Sequence, residues 1–301
     1  MKIIGSQSGR IFLSLAIVCT LIALGFFAVY TLSERALRDV QLPPPFIMPS
    51  VVNKATVERG RHLARTRGCF GCHGQQLQGI DFSEEWQGMG TTVAPNLALF
   101  AKQYDPAVLE AAIRHGIGHD GKALWSMPSY NFKHLSDDDT VALIAFLQSA
   151  PVIEHELPTP RYSWSLRWTI AHGAEPHMAD LVAAMPELQV GEGDDPRHVR
   201  GEYFAMTSCN ECHGYDLRGQ WEYGPGTPDL AIVAAYSLDD FRRLLHEGIA
   251  IGDRGDLRMM SAVARDRFAE LSDEEIADLH AFLQTLANVP APANVPWRPG
   301  S

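Results

Sequence analysis

From position 11 to position 32 the chain runs without a charged residue, and almost every side chain is apolar. At about 1.5 Å of rise per residue, such a run crosses a bilayer as one helix. Beyond it the pattern changes to shorter amphipathic periods. Residues 106–116 and 239–248 repeat apolar side chains at helical spacing and stop at glycine, the usual helix terminator. Residues 135–147 and 271–283 each begin Leu-Ser followed by three acids, then continue with apolar positions on one helical face. Serine as N-cap and carboxylates in the first turn are what a helix start requires. The pattern predicts an all-α protein behind a single N-terminal transmembrane helix.

The helical segments come in two sets. Arg59-Gly60 matches Arg200-Gly201, Gly74-Gln-Gln-Leu-Gln-Gly79 matches Gly214-Tyr-Asp-Leu-Arg-Gly219, and Pro95-Asn-Leu97 matches Pro228-Asp-Leu230. Duplication of one domain is the simplest account. The expected organisation is an anchor (1–33), a Pro-rich stalk (34–54), domain 1 (55–150), an interdomain segment (151–198), domain 2 (199–287) and a Pro-rich tail (288–301). The interdomain segment is too long for an ordinary loop, and its Trp164, Trp168, His172 and Met178 point to helical structure packed on a domain.

The net charge of −11 is uneven: the first copy holds 8 basic and 10 acidic residues, the second 8 and 16. This balance is no footprint for nucleic acid, and it steers basic protein partners toward the distal half. Arg59, Arg61, Arg65 and Arg67 cluster ahead of the first cysteines; they either face the acidic second domain or lie exposed.

Cys-x-x-Cys-His-Gly occurs at Cys69, Cys72, His73 and again at Cys209, Cys212, His213. Two thiols three residues apart on a helical turn can each add to one vinyl group of haem, leaving the next imidazole to face the iron; the pattern reads as covalent c-type haem attachment. A four-thiolate zinc shell would not require His-Gly after each pair. A thioredoxin-like redox pair would need a preceding strand, whereas a helix-like segment precedes each pair here. Structural disulfides leave both His-Gly extensions unexplained. The fifth cysteine, Cys19, lies inside the apolar span as an inert thiol.

On these motifs, with the Met-Pro step at Met127 and the Leu-Ser-Asp helices, the chain resembles the class I cytochrome c family. Copy two departs from it with Pro-Asp-Leu and no Met-Pro. The resemblance implies two tandem all-helical domains, each with one covalently bound haem c whose iron takes the motif histidine on one side and a methionine on the other. It implies Cys69, Cys72, Cys209 and Cys212 as attachment points, and His73, Met127, His213 and Met260 as axial ligands. Met259 stays open as the second methionine on loop length. By the same resemblance Arg114 and Trp125 are candidates to touch haem propionates. The remaining histidines, His62, His115, His134, His246 and His280, are expected on solvated surfaces.

A thioether opposite an imidazole favours ferrous iron and closes the coordination sphere, which suits electron transfer rather than substrate binding. The expected function is a membrane-anchored di-haem electron carrier, not itself an enzyme. Its partner would be a respiratory complex or dehydrogenase, and cytochrome subunits of alcohol-oxidising dehydrogenases look similar. Lys2 and Arg10 ahead of the span put the haem domains on the periplasmic side of the inner membrane. A cleaved signal peptide is the competing reading of the span; the run is too long for one and no Ala-x-Ala site follows. The alternative function is a di-haem enzyme such as a peroxidase with one open iron. A transmembrane haem sensor would need an output domain, which the ten residues before the span do not supply.

Overall fold

The computed structural model describes residues 5–174, 176–191, 193–220 and 226–290, so Lys2 and most of the Pro-rich tail lie outside it. The chain is all-α. Helix α1 (Gly5–Arg38) contains the apolar span, whose most apolar 18 residues have a mean hydropathy of 2.6, with none of them buried. The first copy contains α2 (Lys54–Thr66), α3 (Cys69–His73), α4 (Leu97–Gln103), α5 (Pro106–His115) and α6 (Asp137–Ser149). The connecting segment forms α7 (Trp164–Ala171) and α8 (Met178–Ala184). The second copy contains α9 (Pro196–Phe204), α10 (Asn210–His213), α11 (Leu238–Glu247), α12 (Met259–Val263) and α13 (Asp273–Thr285). Among the described residues strands are limited to two-residue pairs: β1 (Ile80–Asp81) pairs antiparallel with β3 (Val93–Ala94), and β2 (Gly90–Thr91) with β4 (Arg161–Tyr162).

Local chemistry accounts for the helix ends. The Ser136 hydroxyl accepts from the Asp139 amide, and Ser272 and Glu275 form a reciprocal capping box. Helices α5 and α11 stop at Gly116 and Gly248, both in the left-handed region. In each copy the first and last helices cross at the repeated Arg-Gly step. A Cβ on Gly60 would lie 1.9 Å from the Ala142 carbonyl oxygen, and one on Gly201 2.2 Å from that of Asp278. Only glycine permits this approach. Around the crossings, Ala64, Leu143, Ile144 and Leu147 fill the first core, and Phe204, Leu279, Phe282 and Leu283 the second.

The copies clasp each other reciprocally. Tyr203, two residues after the second Arg-Gly, donates its hydroxyl to Asp139 on α6 at 2.5 Å. His62, at the matching position of α2, bonds Glu275 on α13 at 2.8 Å. Arg67 is 4% exposed, donates to the hydroxyls of Thr66 and Thr207, and lies over the Phe204 ring. The Ser208 hydroxyl returns a bond to the Thr66 carbonyl at 2.9 Å. Of the four clustered arginines, Arg67 bonds to the second domain; Arg59 pairs with Asp139 within its own domain, Arg61 with Glu58, and Arg65 lies over Phe70.

The outer end of α1 is docked. Leu37 is buried with Ala123, Leu166 and Ile170, and Glu34 pairs with Lys122 and Arg167. In the following segment Phe46 and Met48 pack against the first core.

Candidate functional site

The two attachment motifs lie next to the domain interface, reached by different backbones. In copy one, α2 ends at Thr66 and Gly68 turns the chain at φ 86° before α3 presents Cys69, Cys72 and His73. In copy two, one residue fewer separates Arg-Gly from the first cysteine, and α9 runs through a π-turn (205–209) directly into α10. The four cysteines are half-buried and unbridged. Burial pushes the thiols of Cys69 and Cys209 up to about 12 and that of Cys212 up to about 11, and it raises Cys72 as well. These are neutral thiols, and among the described residues no three His, Cys, Asp or Glu side chains converge as a metal shell.

Each motif histidine is held in one orientation. His73 Nδ1 bonds the Pro95 carbonyl at 2.8 Å, and His213 Nδ1 bonds the Pro228 carbonyl at 2.9 Å. A carbonyl oxygen only accepts, so Nδ1 carries the proton and Nε2 keeps a free lone pair, the arrangement of a metal-binding imidazole. Burial depresses both histidine pKa values, which keeps that lone pair available. The backbone after each histidine doubles back: the Gly79 amide donates to the His73 carbonyl and the Gly219 amide to that of His213. Leu77 and Leu217, at matching positions, both take positive φ near 60° and are buried. Left-handed backbone at a non-glycine residue is strained by about 1 kcal/mol or more, and finding it twice beside the same motif marks a constrained site.

This gives the Pro-Asn-Leu and Pro-Asp-Leu repeats their meaning. The proline carbonyl orients the imidazole, and the next residue caps the following helix: Asn96 accepts from the Leu99 amide and Asp229 from that of Ala231. Leu230 enters the second core. Pro95 and Pro228 are the functional positions that sequence reasoning missed; their repetition in both copies was the signal.

Met127 packs against the first core from the loop ahead of a 3₁₀ turn (Ser129–Phe132). In copy two the adjacent methionines separate: Met259 is 71% exposed, whereas Met260 packs against the second core. Among the described residues, buried polar atoms without partners include both amide atoms of Asn131, four residues after Met127, Nε of Arg114 and Oε2 of Glu110 on α5, and Oδ1 of Asn210 inside the second motif. Such buried orphans call for a further bonding group, and with neutral thiols, oriented imidazoles and methionines packed on the cores the residues fit haem. Trp125 packs against the cluster at the end of α1. Of the other histidines, His62, His115, His134 and His246 are half-buried. His280 departs from the expected surface position: it is 8% exposed and bonded to the Tyr236 carbonyl, because its face of α13 turns into the second core.

Between the motifs lies Arg267, paired with Glu211 at 2.7 Å and within electrostatic reach of all four thiols. Burial and the Glu211 carboxylate raise the Cys212 thiol, and the Cys72 thiol adds to this in the same direction.

Comparison with known proteins agrees with this geometry. The Cytochrome c family profile matches residues 57–151 and again 199–287. The chain is 26% identical over 296 residues to the gluconate 2-dehydrogenase cytochrome c subunit of Pantoea cypripedii, covering 85% of this chain and 63% of that protein. It is 26% identical over 307 residues to the fructose dehydrogenase cytochrome subunit of Gluconobacter japonicus, covering 88% and 59%. To the cytochrome c subunit of the quinone alcohol dehydrogenase of Gluconacetobacter polyoxogenes it is 27% identical over 197 residues, covering 59% and 40%. The chain thus spans between two fifths and just under two thirds of the length of these relatives. With both copies of its cysteine–histidine site inside the matched segments, the chain belongs to the cytochrome c family, whose prosthetic group is covalently bound haem c.

Proposed function

We propose that this chain carries two haems c and serves as the electron-transferring cytochrome subunit of a membrane-bound dehydrogenase, on the periplasmic side of the inner membrane. Electron transfer follows from the family and from relatives that are cytochrome subunits of gluconate, fructose and alcohol dehydrogenases. The single observation that carries the two-haem reading is the matched pair of imidazoles, each with Nδ1 on a proline carbonyl and Nε2 free.

In this reading Cys69 and Cys72 hold one haem and Cys209 and Cys212 the other. His73 with Met127 would hold the iron of the first haem, and His213 with Met260 that of the second. A bound haem c supplies one-electron Fe(II)/Fe(III) chemistry. The chain's residues fix the imidazoles, would offer soft thioethers to the iron and exclude water with two apolar cores. A buried, hydrogen-bonded frame changes little between oxidation states, which suits rapid one-electron exchange. Arg67, Thr66, Thr207 and Ser208 bond the two copies to each other just ahead of the two motifs, so electrons would pass between the copies across that interface. The span in α1 anchors the chain, and Arg10 ahead of it favours a cytoplasmic N-terminus.

Haem stoichiometry with carbon monoxide binding to the reduced protein tests the site. Two haems per chain and no carbon monoxide complex are expected; one haem, or prompt binding at either iron, refutes the closed two-haem carrier. Purification from its native membrane in mild detergent tests the partner, with a dehydrogenase expected in the same complex. A chain that emerges alone at every detergent concentration refutes the subunit reading.

A further inference from the structure

Helix α7 is two-faced. Leu166 and Ile170 are buried with Leu37 at the end of α1, while Trp164 and Trp168, one turn apart on the other side, are 51% and 57% exposed. Exposed tryptophans in a segment of a membrane-associated protein need a covering, and the position of α7 indicates which. Trp164 meets Phe26 of α1 edge to face, with ring centroids 4.8 Å apart. If the apolar span begins at Ile11, after Arg10, a hydrocarbon core about 30 Å thick takes about 20 residues and ends near Tyr30. Phe26 then lies about 6 Å below that boundary at 1.5 Å per residue. A side chain in contact with Phe26 is therefore at the depth of the lipid headgroups or below it.

The contact cannot slide. Arg167 lies over the Tyr30 ring at 4.4 Å and donates to the Ser33 hydroxyl and the Glu34 carboxylate at 2.8 and 3.1 Å. Lys122 pairs with the same Glu34 at 3.0 Å, and the Ala123 amide donates to the Leu37 carbonyl at 2.7 Å. These bonds fix α7 and domain 1 to the outer end of the span. Among the described residues the two indole N–H groups have no hydrogen-bond partner, which leaves them free for phosphate or ester oxygens of lipid. An amphipathic indole with an apolar ring and a free donor is the side chain favoured at the membrane–water interface.

We propose that α7 lies in the membrane–water interface and that Trp164 and Trp168 seat domain 1 directly on the lipid surface, so that this domain does not swing on a stalk. The proposal rests on the reading of α1 as a membrane span, and its test separates the two. The full haem-loaded chain, alone, is placed in phosphatidylcholine vesicles containing a phosphatidylcholine with a photoactivatable diazirine in its acyl chain. After illumination, lipid adducts are mapped by peptide mass spectrometry.

Adducts are expected on α1 and on α7, with α11 as the unlabelled control. Labelling of α1 with none on α7 overturns the seat and leaves the anchor standing; a protein subunit would then be the covering of the tryptophans. No labelling of α1 overturns both. In a second chain carrying Trp164→Ser and Trp168→Ser, labelling of α7 should fall to the level of α11 while α1 labelling and the haem spectrum stay unchanged. Undiminished labelling of α7 in that chain refutes the role given to the two indoles.

Discussion

The substitution Gly60→Ala tests the crossing that holds the first copy together. The new Cβ would stand 1.9 Å from the Ala142 carbonyl oxygen, 2.5 Å from its carbon and 2.8 Å from Phe146 Cβ. Ordinary contact begins near 3.5 Å, so α2 and α6 would have to part by about 1.5 Å at a point where two backbones meet and no side chain can rotate away. Overpacking costs about 1–3 kcal/mol in general, and a backbone obstacle sets it at the upper end. Against this, alanine is favoured over glycine inside a helix by about 1 kcal/mol. The net is a destabilisation of about 2 kcal/mol, or a fall in Tm of about 8–16 °C for a domain of this size. Thermal unfolding of the haem-loaded protein by far-ultraviolet circular dichroism reads it directly. Gly25→Ala in α1 is the control, because a Cβ there meets nothing within 4 Å. If Gly60→Ala unfolds at the temperature of that control, the close crossing does not exist and the account of the Arg-Gly repeat is wrong. Gly201→Ala, with its Cβ 2.2 Å from the Asp278 oxygen, should behave alike in the second copy.

Three other outcomes are expected. Met260→Ala should abolish the methionine-linked absorbance of the second haem, while Met259→Ala, at an exposed position, leaves it intact; the reverse result exchanges the ligands. Arg267→Gln removes a cation within reach of all four thiols and leaves the Glu211 carboxylate uncompensated, so both effects favour ferric iron. Redox titration should show at least one potential lowered by a margin on the order of 60 mV, a tenfold change in the one-electron equilibrium; unchanged potentials would place that charge too far from the irons to matter. Burial raises the Glu275 carboxyl, but bonds from His62 and Ser272 outweigh it and hold the carboxyl at about 2, against an ordinary 4.5. A depressed carboxylate stabilises the fold above its unfolded pKa, so this contribution is intact above pH 4.5 and is lost as pH falls toward 2. With Glu275 about one-third exposed, solvent screening reduces it to about 1–2 kcal/mol. Glu275→Gln should flatten the stability profile across that window, measured by denaturant unfolding, and an unaltered slope would refute the link between the copies.

The sequence by itself determined the chemistry and the helical plan of this protein. Cys-x-x-Cys-His-Gly, the apolar span, the Leu-Ser-acid helix starts and the terminal glycines are local signals: spacing along one turn or one cap decides them, and neighbours far along the chain do not alter them. The candidate site was legible to the same extent, because its two thiols and imidazole share one helical turn in each copy. Only the tertiary structure decided the relations between segments. It gave the repeated Pro-Asn-Leu and Pro-Asp-Leu steps their purpose, since the proline carbonyls meet imidazoles 22 and 15 residues earlier in the chain. It separated Met259 from Met260, because a register of one residue on a short helix turns one side chain to solvent and the next to the core. It also turned His280 inward, clasped Tyr203 to Asp139 and His62 to Glu275, and docked α7 on the span. Each of these depends on which faces meet when helices distant in sequence pack, and composition and periodicity fix the existence of a face without naming its partner.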